Sequence, residues 1–330
     1  MFWNFKLGSL AALLCASITA TPVAAQQVLR IAHDQPEDGT LHILFTQFKR
    51  LVDEKTNGKV TVKVTCCGQL GDNERNTESV RLGTLDGTAS ASGNLGGYLP
   101  KVALLSAPYI IESAAHLDKV VDPSGPVFAE LRRITEEPGE LTLGGVFITG
   151  VRSVYNSKHP IQTPADMTGM RMRVMSTDVQ MKAWSAIGAA PINLAFSELY
   201  TGLMTGVVDA AENSPMFFYN MKHFEHAPYL SLTNHQYSTG LVLFNRASLD
   251  RLSPELREKV LEASYEATRL SREYDTEANK QFMEKLVAAN VKVNEVNVES
   301  FVEVSRPLHD SIAKSLDAEP LLQLIRDAAK

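Results

Sequence analysis

Ser253–Asn290 reads SPELREKVLEASYEATRLSREYDTEANKQFMEKLVAAN. Ser253-Pro254 pairs an N-cap residue with a proline at the first helical position. From there Leu256, Val260, Leu261, Tyr265, Leu270, Tyr274, Ala278, Phe282 and Leu286 recur mostly at steps of four. No Pro or Gly interrupts them before Asn290. The pattern predicts one helix of roughly 35 residues, about 50 Å long at the usual rise. A single domain is narrower than that. The seam is not a clean heptad, so a coiled coil fits less well. A helix running across two lobes is the better reading, and it sets the architecture.

Working outward, the rest of the chain alternates strands and helices. Val28–Ala32 reads as a short buried strand, and Leu41–Lys55 as a helix with Leu41, Leu44, Phe45, Phe48, Leu51 and Val52 on one face. Asn57-Gly58 is a C-cap signal. Val60, Val62 and Val64 alternate as a second strand, followed by a helical stretch at Asn73–Leu82 and a strand at Leu85–Ala91. This β-α-β-α-β order argues for an α/β domain on a largely parallel sheet. The pattern resumes with strands at Leu141–Ile148, Arg152–Asn156 and Met170–Val174 and helices at Val179–Gly188 and Phe196–Thr205. Val207–Ala211, Tyr229–Leu232 and Leu241–Phe244 are strand-like.

At 330 residues the chain suits two domains. Its 32 Lys and Arg against 38 Asp and Glu leave a net charge of -6, which gives no counter-ion logic for gripping a nucleic acid. Met1–Ala25 reads as a secretory signal peptide: Lys6 charges the start, Leu7–Ile18 is the apolar run, and Val23-Ala24-Ala25 offers small residues for cleavage after Ala25. Leu14 before Cys15 is too large for a lipoprotein signal. Beyond that segment no apolar run approaches the ~20 residues of a membrane helix. The adjacent Cys66 and Cys67 read as small buried residues at a strand end, on opposite sides, rather than as a vicinal disulfide.

No Walker A loop, HExxH pair, GxSxG elbow or zinc-type cysteine cluster occurs. His223-x-x-His226 has a spacing that suits a metal on a helix but lacks a third ligand. SGNLGG, with Gly93, Gly96 and Gly97, lacks the order of a phosphate loop and reads as a flexible strand-to-loop junction. No nucleophile, base and orienting acid assemble. An exported two-lobed protein without a catalytic kit suggests ligand capture.

Gly150–Arg173 reads GVRSVYNSKHPIQTPADMTGMRMR, and Ser197–Asn213 reads SELYTGLMTGVVDAAEN. Together they resemble the extracytoplasmic solute-binding subunit of tripartite ATP-independent periplasmic (TRAP) transporters, the DctP-type family. Ala32-His33, the helix end Thr56-Asn57-Gly58-Lys59-Val60, and Gly68-Gln69-Leu70-Gly71 agree with it. The resemblance implies an α/β, two-lobed periplasmic binding protein with hinge strands and a long helix spanning both lobes. With 1–25 as signal peptide, the first lobe would comprise 26–150 plus 239–280 and the second 151–238 plus 281–330. It implies a monomeric periplasmic protein that captures a small organic acid in the inter-lobe cleft. The acid, a sugar acid or a C4-dicarboxylate, would pass to a separate permease driven by an ion gradient. Two other readings are a periplasmic enzyme acting on an organic acid and a chemosensory binding module.

A carboxylate taken into a closed cleft needs pairing, and the planar fork of Arg pairs it best. Arg173 matches the family's ligand-carboxylate arginine, although Arg171 shares its strand facing and spacing alone does not separate them. Arg152 matches a second arginine expected at the same carboxylate, and Asn213 matches an asparagine able to bond both ligand and Arg. Phe217 or Phe218 would cap the carbon skeleton, with Phe217 taken as the candidate. His33, Asp34 and Asn94 are the first-lobe candidates, at strand ends where open α/β sheets bind ligands, and Glu74 could also reach the cleft. Those polar groups lean toward a hydroxylated acid, since Asp34 would repel a second carboxylate. Ala210-Ala211 and Ser214 depart from the family pattern. Glu212-Asn213 replaces the Glu-Trp of the metal-holding branch, so no metal and no cofactor are expected.

Overall fold

The computed structural model describes Met1, Phe2 and residues 26–330. Apart from Met1 and Phe2, the expected signal peptide, with Cys15 and the cleavage site, lies outside the described residues. The first lobe opens with β1 (Gln27–Ala32), α1 (Thr40–Thr56), β2 (Val60–Thr65), α2 (Asn73–Arg81) and β3 (Gly87–Ala91). The apolar face read from α1 is the buried one, and Asn57 ends the helix in the left-handed region at φ 51°. Helices α3 (Ala114–Val121) and α4 (Pro126–Glu136) complete this part.

Strand β4 (Leu141–Asn156) carries the chain into the second lobe. That lobe holds β5 (Arg171–Val174), α5 (Asp178–Ile187), β6 (Ala190–Asn193), α6 (Leu199–Met204), β7 (Ala210–Asn213) and α7 (Pro215–Asn220). Strand β8 (Tyr229–Asn245) returns, and α8 (Arg246–Asp250) leads into α9 (Pro254–Ala288). The chain finishes with β9 (Lys292–Glu295), α10 (Val298–Ser305), α11 (Leu308–Ser315) and α12 (Glu319–Ala328).

One sheet runs through both lobes in the order β2-β1-β3-β8-β4-β7-β5-β6, with β9 on β8. Pairing is parallel at β1/β2/β3 and at β5/β6/β7, as the β-α-β order predicts. The two groups are joined through antiparallel β4 and β8, of 16 and 17 residues. The separate strands read at 141–148 and 152–156 are therefore one strand. Its register on β8 shifts between Ile148 and Val151, around Gly150 at φ +81°. Such a bulge bends and twists a strand, and it sits where β4 passes between the lobes. Likewise 229–232 and 241–244 are the ends of β8; its middle is polar because it lines the crossing.

Helix α9 is the predicted long helix, capped by Ser253 accepting from the Leu256 N–H. Val260, Ala263 and Ala267 pack with Phe45, Phe48 and Phe244 in the first lobe. Ala278 and Phe282 pack with Met216 and Phe217, and Leu286 with Tyr155 and Phe218, in the second. The C-terminal segment assigned to the second lobe divides. Phe301 of α10 joins Met172 and Trp184 there, whereas Ile312, Leu321, Leu322 and Ile325 of α11 and α12 pack with Val120, Phe128 and Leu131 of the first lobe. An amphipathic pattern shows that a helix buries one face, not which lobe receives it.

Cys66 and Cys67 correct the expectation from sequence: they are joined as a vicinal disulfide, with Cys66 half-buried and Cys67 exposed. Leu321 is fully buried and far in sequence from the crossing strands. Leu321→Ala should cost about 2–5 kcal/mol of folding stability in urea denaturation, while leaving ligand affinity unchanged.

Candidate functional site

Six of the seven residues singled out from sequence line one cavity between the lobes: Asp34, Asn94, Arg152, Arg173, Asn213 and Phe217. Gln35, Leu41, Asn73, Ala91, Phe147, Thr149, Met175, Phe196 and Ser238 complete its wall. This inner space is small, about 50 Å³. It adjoins an outer chamber of about 470 Å³ that shares Asp34, Asn73, Asn94, Arg173 and Phe196 and adds Cys67, Glu74, Ser176 and Met221. The lobes touch beside it. A Cβ on Gly93 would lie 2.8 Å from Met175 Cε, and one on Gly96 would lie 3.1 Å from Thr177 Oγ1. Gly93 and Gly96 of SGNLGG thus permit close approach of the lobes, a role beyond that of a flexible junction, while a Cβ on Gly97 would meet nothing within 4 Å.

Strand β5 separates the two arginines that spacing leaves equivalent. Arg171, at its start, is largely exposed and forks onto Asp209, with Nε and Nη2 bonds of 2.8 and 2.7 Å. Arg173 lies nearer the carboxyl end of β5 and is only 3% exposed. The two share a face but occupy different ends, and strand carboxyl ends face the cleft in open α/β sheets. Arg173 Nε donates to the Leu194 carbonyl at 2.9 Å, and its guanidinium sits 5.9 Å from the Phe196 ring centroid. Its terminal nitrogens have no protein acceptor among the described residues. Burial lowers its pKa, and Glu212 opposes that shift; an arginine stays charged regardless.

Arg152, on β4, is engaged differently. Its Nε and Nη2 donate to the Glu212 carboxylate (2.7 Å for Nη2), Nη2 also donates to the Glu212 carbonyl at 2.7 Å, and Nη1 donates to Asn213 Oδ1 at 2.9 Å. Burial would raise the Glu212 carboxyl, but Arg152 together with hydrogen bonds from His235 and Arg152 pulls it down to about 2. Glu212 is therefore an anion balancing Arg152. In the sequence Glu212 stands out only as a motif position. Strand alternation could have placed it opposite Asn213, but not against Arg152. Asn213 Oδ1 also accepts from the Ser214 N–H at 2.9 Å.

The first lobe contributes Asp34, Asn73 and Asn94. Burial pushes the Asp34 carboxyl up to about 6, against hydrogen bonds that include the Asn73 amide. Glu74 reaches only the outer chamber, and Asn73, overlooked from sequence, is set by the cap that Asp72 places on α2. His33 is not on the wall. β1 ends at Ala32 and the chain bends at Asp34, so Asp34 meets the cavity while His33 stacks on Phe45 at 5.8 Å and is 1% exposed. Burial holds His33 near 3, hence neutral.

Between the adjacent phenylalanines, Phe217 lines the cavity while Phe218 stacks on Tyr155 at 4.2 Å in the core. Phe196, which no spacing marks, stands edge-on to Phe217 at 6.0 Å. His223 is buried, with Nδ1 2.8 Å from the Tyr155 hydroxyl. Among the described residues no group of three His, Cys, Asp or Glu is placed to hold a metal ion.

A single sheet crossing between two lobes, with a buried guanidinium facing a cavity lined by both polar and apolar side chains, fits a two-lobed binding protein for small anions. A sequence profile of bacterial extracellular solute-binding protein, family 7 (DctP) matches residues 31–316, and the chain belongs to that family. The 2,3-diketo-L-gulonate-binding periplasmic protein YiaO of Escherichia coli K12 is 34% identical over 284 residues, covering 86% of each chain. The fold is similar to the TRAP periplasmic solute-binding protein of Sulfitobacter sp. NAS-14.1 with bound β-D-galacturonate (TM-score 0.86, 31% identity, covering 91% of this chain and 100% of that one). It is similar again to that of Chromohalobacter salexigens with bound D-glucuronate (TM-score 0.86, 30% identity, 91% and 99% covered).

The Arg152–Glu212 pair makes a stability prediction. Glu212 has a depressed folded pKa, so its contribution is present above the unfolded value and is lost as pH falls through about 2. Glu212→Gln should cost about 3–5 kcal/mol in urea denaturation at pH 7, because it leaves Arg152 buried without its counter-charge. The difference from wild type should shrink toward pH 2.

Proposed function

We propose that this chain captures a mono-anionic, hydroxylated organic acid, of the uronate or aldonate kind, and delivers it to a separate TRAP permease. The observation that carries this reading is the unequal pairing of the two buried arginines. Glu212 is bonded to Arg152, whereas Arg173 has no bonded carboxylate among the described residues and feels Asp34 and Glu212 only through space. Arg173 is therefore the cation on the cavity wall open to pairing with one ligand carboxylate. Its free terminal nitrogens offer the parallel donors a carboxylate takes in bidentate fashion. Across the cleft, Asp34, Asn73 and Asn94 suit hydroxyl groups, which both donate and accept, and Phe196 and Phe217 suit a carbon skeleton. A C4-dicarboxylate would bring its second charge toward Asp34. The galacturonate and glucuronate held by the Sulfitobacter and Chromohalobacter proteins support the sugar-acid class. Capture takes place in the periplasm after cleavage behind Ala25, and the acid is released unchanged.

A thermal-shift screen over uronates, aldonates and C4-dicarboxylates tests the class. A sugar acid at about 100 times its dissociation constant should add about 2.7 kcal/mol of stability. Stabilisation by succinate or malate with none by any uronate or aldonate would overturn the assignment. Arg173→Ala should weaken binding by about 3–5 kcal/mol in calorimetry, and a loss under tenfold would remove Arg173 from its role. Arg173→Lys should also bind more weakly, because an ammonium cannot reproduce the fork.

Asp34 sets the pH behaviour of selectivity. Its carboxyl is anionic above about 6 and neutral below, so repulsion of a second ligand carboxylate fades as pH falls. Wild type should gain affinity for succinate on going from pH 8 to pH 5 more steeply than Asp34→Asn does. The ligand's own titration is common to both proteins and cancels. Parallel profiles would show that Asp34 does not read the ligand.

A further inference from the structure

Asp275 lies midway along α9, 2% exposed, with no salt-bridge partner among the described residues. An acid buried without a cation is costly, and burial pushes this carboxyl up to about 7 against bonds from Thr40, Asn279 and the Gly150 backbone. Those three partners belong to different parts of the molecule. Thr40, the first residue of α1 in the first lobe, donates its hydroxyl to Asp275 Oδ1 at 2.7 Å. Asn279, one turn along α9, donates Nδ2 to Asp275 Oδ2 at 3.0 Å and to the Asp275 carbonyl at 2.8 Å. Asn279 Oδ1 accepts the N–H of Met216 at 3.1 Å, at the start of α7 in the second lobe.

The same pair abuts the crossing strand. Gly150 occupies the β4 bulge at φ +81°, and a Cβ there would lie 2.7 Å from both Asn279 Nδ2 and Ser214 Cβ. Its neighbours Thr149 and Arg152 line the cavity, and Phe217, next to Met216, lines it too. Elsewhere α9 meets the two lobes through buried apolar side chains such as Ala263, Ala267 and Phe282, and through more exposed polar contacts to the first lobe, Glu266 with Lys55 at 3.1 Å and Arg272 with Asp118 at 3.0 Å. Polar contacts are directional where apolar ones slide, and the Asp275–Asn279 pair is buried and bonded to both lobes, so here the helix fixes an angle between them.

We propose that Asp275 and Asn279 are positioning residues for the ligand site: a polar joint on the long helix that ties the first lobe to the strand and helix carrying Arg152 and Phe217, and so sets how the lobes close. The inference rests on the cleft being the ligand site. It explains why an uncompensated acid is kept where a leucine would pack.

The test is a double-mutant cycle across the joint with Thr40→Val, Asp275→Asn, Asn279→Ala and the Thr40→Val/Asn279→Ala pair. Each protein is measured by calorimetry with D-glucuronate and D-galacturonate, by thermal melting, and by small-angle scattering without ligand. Each single variant should bind the uronates about tenfold more weakly, or worse, and should scatter as a more open ligand-free molecule. The double variant should lose less than the product of the two single losses, since the substituted groups act through one shared carboxylate. Thr40→Val is the mildest change and serves if a helix variant does not fold. Lowered melting temperatures with affinity within about twofold of wild type and unchanged scattering would overturn the inference, leaving a purely structural network. If wild type binds neither uronate, the ligand assignment falls, and the ligand-free scattering alone decides the joint.

Discussion

Two guanidiniums and one carboxylate are buried together at the middle of a continuous sheet, and the balance of those three charges constrains everything around them. A buried ion pair returns little net stability, while removing one member leaves an orphaned charge at high cost. Glu212 holds Arg152 through both carboxylate oxygens and its own backbone carbonyl, so that pair is closed on itself. Arg173 has only the Leu194 carbonyl and an aromatic face. The protein thus keeps one cation desolvated and short of hydrogen-bond acceptors, a state stable only because the surrounding fold is large. Under the proposed function that deficit is the source of affinity for an anion.

The sheet explains how such a site can also move. Parallel groups at its two ends give each lobe a rigid core, and the long strands β4 and β8 are the shared members. At the crossing their residues turn polar: Thr149 and Ser238 bond each other at 2.8 Å across the pair, with Arg152 beside them. The bulge at Gly150 concentrates bending there. Cavity-lining side chains and the bulged backbone are therefore neighbours on one strand, so under the proposed function ligand contacts and lobe angle would be mechanically linked.

Much of this is legible in the residues, because periodicity reports burial directly. The step of four in Ser253–Asn290 marks the long helix, and the apolar stripe of α1 marks its buried face. Facing and partner are not legible. Arg171 and Arg173 are equivalent by alternation, and only the position of β5 in the sheet separates a surface pair with Asp209 from the cleft. His33 and Asp34 are consecutive, and the bend after β1 together with the packing of Phe45 decides which of them meets the cavity. Glu212 is marked only as a motif position, and Asn73 and Phe196 carry no local signal, since each takes its meaning from a residue distant in sequence. The Cys66–Cys67 bond is similar: adjacency permits it, and tertiary packing at the end of β2 exposes it.

The division of the site between lobes gives selectivity a physical order under the sugar-acid reading. The charge anchor, Arg173, belongs to one lobe, while Asp34, Asn73 and Asn94 belong to the other. Any small carboxylate can satisfy the anchor, which by itself discriminates poorly. Closure then brings the first-lobe groups onto the skeleton, and each buried polar group left without a partner costs about 1–3 kcal/mol. Ligand shifts the lobe equilibrium only by its differential affinity for the closed form. An acid lacking the matching hydroxyls would therefore bind the anchor yet fail to hold the lobes shut. A permease that recognises the closed form would then respond to the fit between the first lobe and the skeleton, even though the charge anchor sits in the second.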